Sequence, residues 1–242
     1  MAGHSKWAKV KYQKAVKDPK KSKAFAKVTN LIIVAVRQGG KDINSNPKLR
    51  LAIEKAKEIG MSKENIERAI QRGAGEIIGE NLEELLIGAY GPGGVALLIQ
   101  TITNNKNRTI GEIRHILTEN GGKMAETENV KWLFKEVGKI TIPKKYKNDE
   151  LILKLIEIGV LDVEETDSEL NLYSEISNLN KIKQFLASEI KIPEKEMKDS
   201  LEFLPTQTIK CEDANLKEQL EKLFEALDEQ DDVEEIFSNL KE

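Results

Sequence analysis

The chain has 242 residues, 39% hydrophobic and 33% charged, enough to bury a sizeable core and too apolar for wholesale disorder. Its net charge of -3 conceals a division: residues 1–75 carry 18 Lys and Arg against 6 acids, and residues 76–242 carry 20 against 35. A basic front joined to an acidic remainder points to a polyanion partner, and no apolar run approaches the ~20 residues that cross a bilayer, so no membrane partner is expected.

Residues 1–20 place Lys6, Lys9, Lys11, Lys14, Lys17 and Lys20 around Trp7 and Tyr12 with no stripe of period 3.6, so they read as an arm. A helix over 21–37 follows, with Phe25, Val28, Ile32, Ala35 and Val36 on one face, and stops at Gly39-Gly40. Asn46-Pro47 is an N-cap followed by proline at the first helical position. The helix it opens buries Leu49, Ala52, Ile53 and Ala56 and ends at Gly60. Ser62 caps a third helix, stapled by Met61 and Ile66 and closed by Gly73.

From Glu83 the period becomes two. Segments 85–90 and 95–103 predict a hairpin around Gly91-Pro92-Gly93-Gly94, which is a tight turn and lacks the phosphate-loop pattern. A capping box at Thr109-Ile110-Gly111-Glu112 predicts a helix that ends at Gly121-Gly122. A strand is expected over 130–134. Segments 137–142, 149–158, 160–165, 170–173, 179–189 and 202–204 then read β-α-β-β-α-β, the split βαβ order. Segments 206–211, 214–227 and 233–237 read strand, helix, strand, and are expected to complete the sheet begun at 83–134. The expected fold class is α+β multidomain: an N-terminal helical bundle plus two α/β sandwich (ferredoxin-like) domains, one inserted in the other. The expected boundaries are 1–78, 79–135 with 206–242, and 136–205.

Phosphate binding needs positive charge on flexible stems. The candidates are Lys6, Lys9, Lys11, Lys14, Lys17, Lys20, Lys21, Lys23 and Lys27, with Arg37, Arg50, Arg68 and Arg72 extending the patch. Trp7 and Tyr12 offer faces on which unpaired bases stack, or clasp the body. The helices over 47–59 and 62–72 have helix-turn-helix spacing. The second opens with Glu64 and Glu67, which repel phosphates, so backbone or shape binding is expected in place of base reading. Lys106 and Arg108, in the polar 104–109 loop, form a candidate secondary phosphate contact set against an ordinary turn and cap.

Little else carries chemistry. Cys211 is the single cysteine, which excludes an intrachain disulfide and suits a reducing cytoplasm. His4 and His115 are the two histidines, and no Cys/His cluster exists, so no metal site is expected. His115 reads as a surface or interdomain residue and not a catalytic base. The acids Asp228, Glu229, Asp231 and Asp232 lack calcium-loop spacing and read as a solvated turn. No catalytic residues and no cofactors are expected.

Long ordered motifs resemble the YebC/PmpR family over nearly the whole chain. They are Ala2-Gly3-His4-Ser5-Lys6-Trp7-Ala8-Lys9-Val10-Lys11, Asn46-Pro47-Lys48-Leu49-Arg50 and Asn65-Ile66-Glu67-Arg68-Ala69-Ile70. Tyr90-Gly91-Pro92-Gly93-Gly94-Val95-Ala96, Asn107-Arg108-Thr109 with Arg114-His115, and Ala226-Leu227 through Val233 continue the match. Departures fall at Tyr12, at Ser62-Lys63-Glu64 and at Glu128-Asn129, and none removes a base from the arm.

The resemblance implies three domains and a cytoplasmic, DNA-binding transcriptional regulator that is not an enzyme. It also implies an alternative: related members act on ribosomes, as translational activators or in relief of stalled translation at proline-rich stretches. The partner expected is therefore DNA, or ribosomal RNA and the ribosome, with a monomer favoured. A protein-interaction scaffold working through the acidic domains is the alternative of another class.

Overall fold

The computed structural model describes residues 18–43, 45–77 and 81–241, those at 18–22 and 195 by backbone alone. It divides into two compact units: residues 132–208 form one, and the described residues up to 131 together with 209–241 form the other.

The second unit opens with three helices, α1 (Asp18–Gly39), α2 (Pro47–Glu58) and α3 (Lys63–Gly73). Val28, Ile32, Val36, Leu49, Ala52, Ile53, Ile66 and Ala69 share their core. Asn46 starts α2 by accepting from the Leu49 amide at 3.0 Å. Its own side-chain amide donates to the carbonyls of Ala35 and Gly40, both at 2.8 Å, so one buried residue caps α2 and ties down the end of α1. Ser62 caps α3 as expected.

Gly73 does not stop α3 through its backbone. It is a buried helical residue at a close approach, where a Cβ would stand 2.7 Å from Val36 Cβ and 2.8 Å from the Ile33 carbonyl oxygen. The left-handed residue that ends the turn is Gly75, at φ +76°.

In the same unit, β1 (Glu83–Tyr90) and β2 (Ala96–Thr103) pair as the expected antiparallel hairpin. Helix α4 (Lys106–Glu119), strand β3 (Lys123–Met124) and the short helix α5 (Thr127–Lys131) follow. The expected strand over 130–134 is thus absent from this sheet. Val130 belongs to α5, which packs close against Gly88, where a Cβ would meet Thr127 Cα at 2.8 Å.

Helix α4 begins four residues earlier than the Thr109 box predicts. Asn105 is its cap, accepting from the Arg108 amide at 3.1 Å, and Thr109 is buried inside the first turns.

The chain returns to this unit at 209. Residues Ile209–Lys210 pair in parallel only with Leu240–Lys241, outside the main sheet, so the strand expected over 206–211 does not complete it. The helix Ala214–Glu229 and the strand Val233–Ser238 do lie where expected. The final sheet order places Lys123–Met124 at one edge, then β1, β2 and Val233–Ser238. Ile87, Ala89, Leu97 and Ile99 pack with Ile113, Leu117, Leu223 and Leu227 of the two long helices.

The first unit is built from β4 (Phe134–Pro143), α6 (Asp149–Glu157), β5 (Val160–Glu165), β6 (Glu169–Ser174), α7 (Leu179–Ser188) and β7 (Lys198–Pro205). Its sheet runs β5-β6-β4-β7, all antiparallel, which is the ferredoxin-like order. Ile140, Ile142, Leu170 and Leu172 pack under Leu151, Leu155, Ile182 and Leu186 of the two helices. The chain is therefore α+β and multidomain. We name the remaining elements of the other unit β8 (Ile209–Lys210), α8 (Ala214–Glu229), β9 (Val233–Ser238) and β10 (Leu240–Lys241).

Candidate nucleic-acid interface

Lys6, Trp7, Lys9, Lys11, Tyr12, Lys14 and Lys17 lie outside the described residues. Lys20 and Lys21 lie on the first turn of α1, described by backbone alone. One turn further, the cations meet the chain's own oxygens. Lys23 bridges to Asp231 at 3.0 Å and donates to the Glu229 carbonyl, and Lys27 donates to the Val233 carbonyl. Arg37 donates to Asn81 Oδ1 at 3.0 Å and to the Leu82 carbonyl at 3.1 Å. Lys48 and Lys55 reach Glu84 and Glu235 at 3.2 and 3.1 Å. A row of bases on α1 and α2 thus fastens the helices to the acidic sheet and its last turn.

Glu84 shows the cost and the compensation. Its burial disfavours the charge, but hydrogen bonds from Gln38 and Gln100 and the Lys48 ammonium outweigh that and hold its carboxyl below the ordinary value. Arg50 is the odd member, with Nε and Nη2 buried and no hydrogen-bond partner for them among the described residues.

The second candidate contact is largely internal. Arg108 Nη2 lies 2.8 Å from Asp232 Oδ2, and the Thr109 hydroxyl donates to the same oxygen at 2.6 Å while its oxygen accepts from the Thr103 hydroxyl at 2.8 Å. Asp232 is therefore not part of a solvated acidic turn. It joins the start of α4 to the turn before β9. Lys106 is exposed beside it. His115 is 72% exposed and faces Glu119 at 3.2 Å, so it sits in no shaped site.

Arg68 and Arg72 are brought together, one turn apart on α3. Arg68 pairs with Glu64 at 3.0 Å on an open surface, where such a pair contributes little. Arg72 meets no carboxylate among the described residues. Both line a cavity of about 160 Å³ between α1 and α3, whose other walls are Phe25, Thr29, Met61, Asn65 and Ala69. In the sequence Phe25 and Met61 read as core, Asn65 stands only within the Asn65–Ile70 motif, and Thr29 carries no signal of its own. The signal was the i, i+4 pair 25/29 set against the 61/65/68/72 stripe, which has meaning only once the two helices are known to face each other.

Among the described residues no group of His, Cys, Asp and Glu could hold a metal, and no helix is long and apolar enough to cross a membrane.

Comparison with known proteins covers almost the whole chain. A family model described as the TACO1/YebC protein N-terminal domain matches residues 5–76, and one described as the TACO1/YebC second and third domain matches 82–240. A probable transcriptional regulatory protein of Halothermothrix orenii is 41% identical over 243 residues, covering 99% of this chain and 94% of that one. A protein of the same description from Petrotoga mobilis is 44% identical over 241 residues, with 99% and 94% covered. The crystal structure of the conserved hypothetical protein Aq1575 from Aquifex aeolicus superposes with a TM-score of 0.84 at 38% identity, covering 98% of this chain and 97% of that one.

Proposed function

Because the chain belongs to the TACO1/YebC family, whose relatives are named probable transcriptional regulatory proteins, we propose that it is a non-enzymatic regulator that binds DNA. The observation that carries this reading is the charge division, 18 bases to 6 acids before residue 76 and 20 to 35 after it. A polyanion is drawn to the first part and repelled by the second, so it meets the protein arm first. The phosphate contacts are assigned to Lys6, Lys9, Lys11, Lys14, Lys17, Lys20 and Lys21, with Arg68 and Arg72 alongside. Trp7 and Tyr12 supply stacking or a clasp. Lys23, Lys27 and Arg37, already held by the chain's own oxygens, add field in place of direct contact. The functional division follows 1–78 for binding, with 79–135 plus 206–242 and the inserted 136–205 as the acidic remainder. The protein works in the cytoplasm as a monomer.

The test is charge reversal in the arm. Lys9→Glu, Lys11→Glu and Lys14→Glu together should abolish binding in a filter titration while the circular dichroism spectrum is unchanged. Unaltered affinity refutes the role.

A second reading, structured ribosomal RNA as the partner, is favoured by the first turn of α3. Glu64 sits there, and the exposed pairs Lys63–Glu67 and Arg68–Glu64 run down that face. Carboxylates in the leading turn suit the helix dipole and oppose entry into a DNA major groove. Co-sedimentation with ribosomes, set against footprinting of promoter DNA, separates the two.

A further inference from the structure

We propose that the cavity between α1 and α3 receives one unpaired nucleobase, with Arg68 and Arg72 meeting its adjoining phosphate. This deepens the nucleic-acid reading above and rests on it. The cavity is about 160 Å³. An apolar cavity of about that size accommodates a single benzene ring. It is open on one side, so it has room for one unpaired base entering part-way through its mouth and none for a base pair.

The lining is divided in the way such a ligand requires. Phe25, Met61 and Ala69 give an apolar wall, one of them an aromatic ring and one a polarisable thioether. Thr29, Asn65, Arg68 and Arg72 give the polar rim. Thr29 already donates its hydroxyl proton to the Phe25 carbonyl at 2.7 Å, so its oxygen is left as an acceptor for an exocyclic amine. The Asn65 side chain brings both a donor and an acceptor and so can pair with a base edge in either sense. The two guanidinia stand one turn apart; Arg72 is the one that meets no carboxylate among the described residues, and Arg68 exchanges its weak, exposed Glu64 pair for the phosphate. Nothing in the lining is a nucleophile or an acid–base pair, so the chemistry is recognition. Base stacking with a charged rim is how single-stranded segments are held without a groove code.

The experiment uses the full chain and four probes: a short RNA hairpin with one unpaired 2-aminopurine, the same hairpin fully paired, and the DNA version of each. The unpaired probes should bind about tenfold more tightly than the paired ones, with a change in 2-aminopurine fluorescence on binding. Asn65→Phe, at an exposed position, fills the mouth, and Arg72→Gln removes a charge. Each should erase the preference while the melting temperature holds. A wild-type protein that does not prefer the unpaired probes overturns the assignment, as does a preference that survives in both variants. If the arm reversal abolishes all binding yet no preference ever appeared, the cavity reading alone falls. If the wild type binds no probe, the proposed function falls with it.

Discussion

The Thr109 hydroxyl and Asp232 Oδ2, 123 residues apart in sequence, lie 2.6 Å apart, and Arg108 Nη2 approaches the same oxygen at 2.8 Å. Burial opposes the Asp232 charge, but these donors outweigh it and hold the carboxyl below its ordinary value. A depressed folded-state pKa contributes stability above the unfolded-state value and loses it as pH falls through the folded one. Urea unfolding should therefore show stability dropping below about pH 4. Asp232→Asn should cost about 1–3 kcal/mol at neutral pH and flatten that part of the pH profile. Identical profiles in the two proteins contradict this account.

Asn46 serves three backbone groups at once, the Leu49 amide and the carbonyls of Ala35 and Gly40. Asn46→Ala removes a cap and leaves two carbonyls short of a donor. We expect a loss of about 2–4 kcal/mol, read from denaturant midpoints. Asn46→Asp keeps the cap acceptor and loses the amide donors, so it should fall between alanine and wild type.

At Gly73 two effects have opposite sign. Helix propensity alone makes Gly73→Ala stabilising by up to about 1 kcal/mol. The added Cβ, 2.8 Å from the Ile33 carbonyl oxygen and 2.7 Å from Val36 Cβ, must push the helices apart. Overpacking of this kind costs about 1–3 kcal/mol, so we expect net destabilisation. A raised melting temperature would falsify the close approach of α1 and α3.

Binding should weaken steeply with salt. If about five phosphates are met, log K against log salt should slope about -4 to -5 on duplex DNA and about -3.5 on single strands. Each arm lysine changed to Gln should reduce the duplex slope by about 0.9. Lys27→Gln should leave it unchanged, because Lys27 is held by the Val233 carbonyl. Titrations at several salt concentrations settle each case.

What could be read in advance was local. Asn46 and Ser62 before apolar stripes marked α2 and α3, and two-residue alternation marked the β1–β2 hairpin and the inserted βαββαβ unit. What could not be read depended on distant partners. Thr109-Ile110-Gly111-Glu112 has the letters of a capping box. Yet Asn105 takes that role, and Thr109 turns inward to an aspartate more than a hundred residues away. Val130 has strand-like neighbours and becomes helical because α5 closes over Gly88. Ile209–Lys210 finds no place in the main sheet, whose edge is taken by Lys123–Met124. Of the candidate site, the charge division was plain from composition. The pairing of Lys23 with Asp231 and the cavity beside Arg72 were not, since each joins segments that no short window spans.

The placement of β9 has a consequence for biogenesis. Strand β2 finds its neighbour at Val233–Ser238, so Leu97 waits for Ser238 and Ile99 for Ile236. During vectorial synthesis the ferredoxin-like insert is complete by residue 205 and free to fold first, while an apolar strand edge upstream stays bare. A nascent chain arrested shortly before Val233 should therefore be protease-resistant over the insert and susceptible around β2.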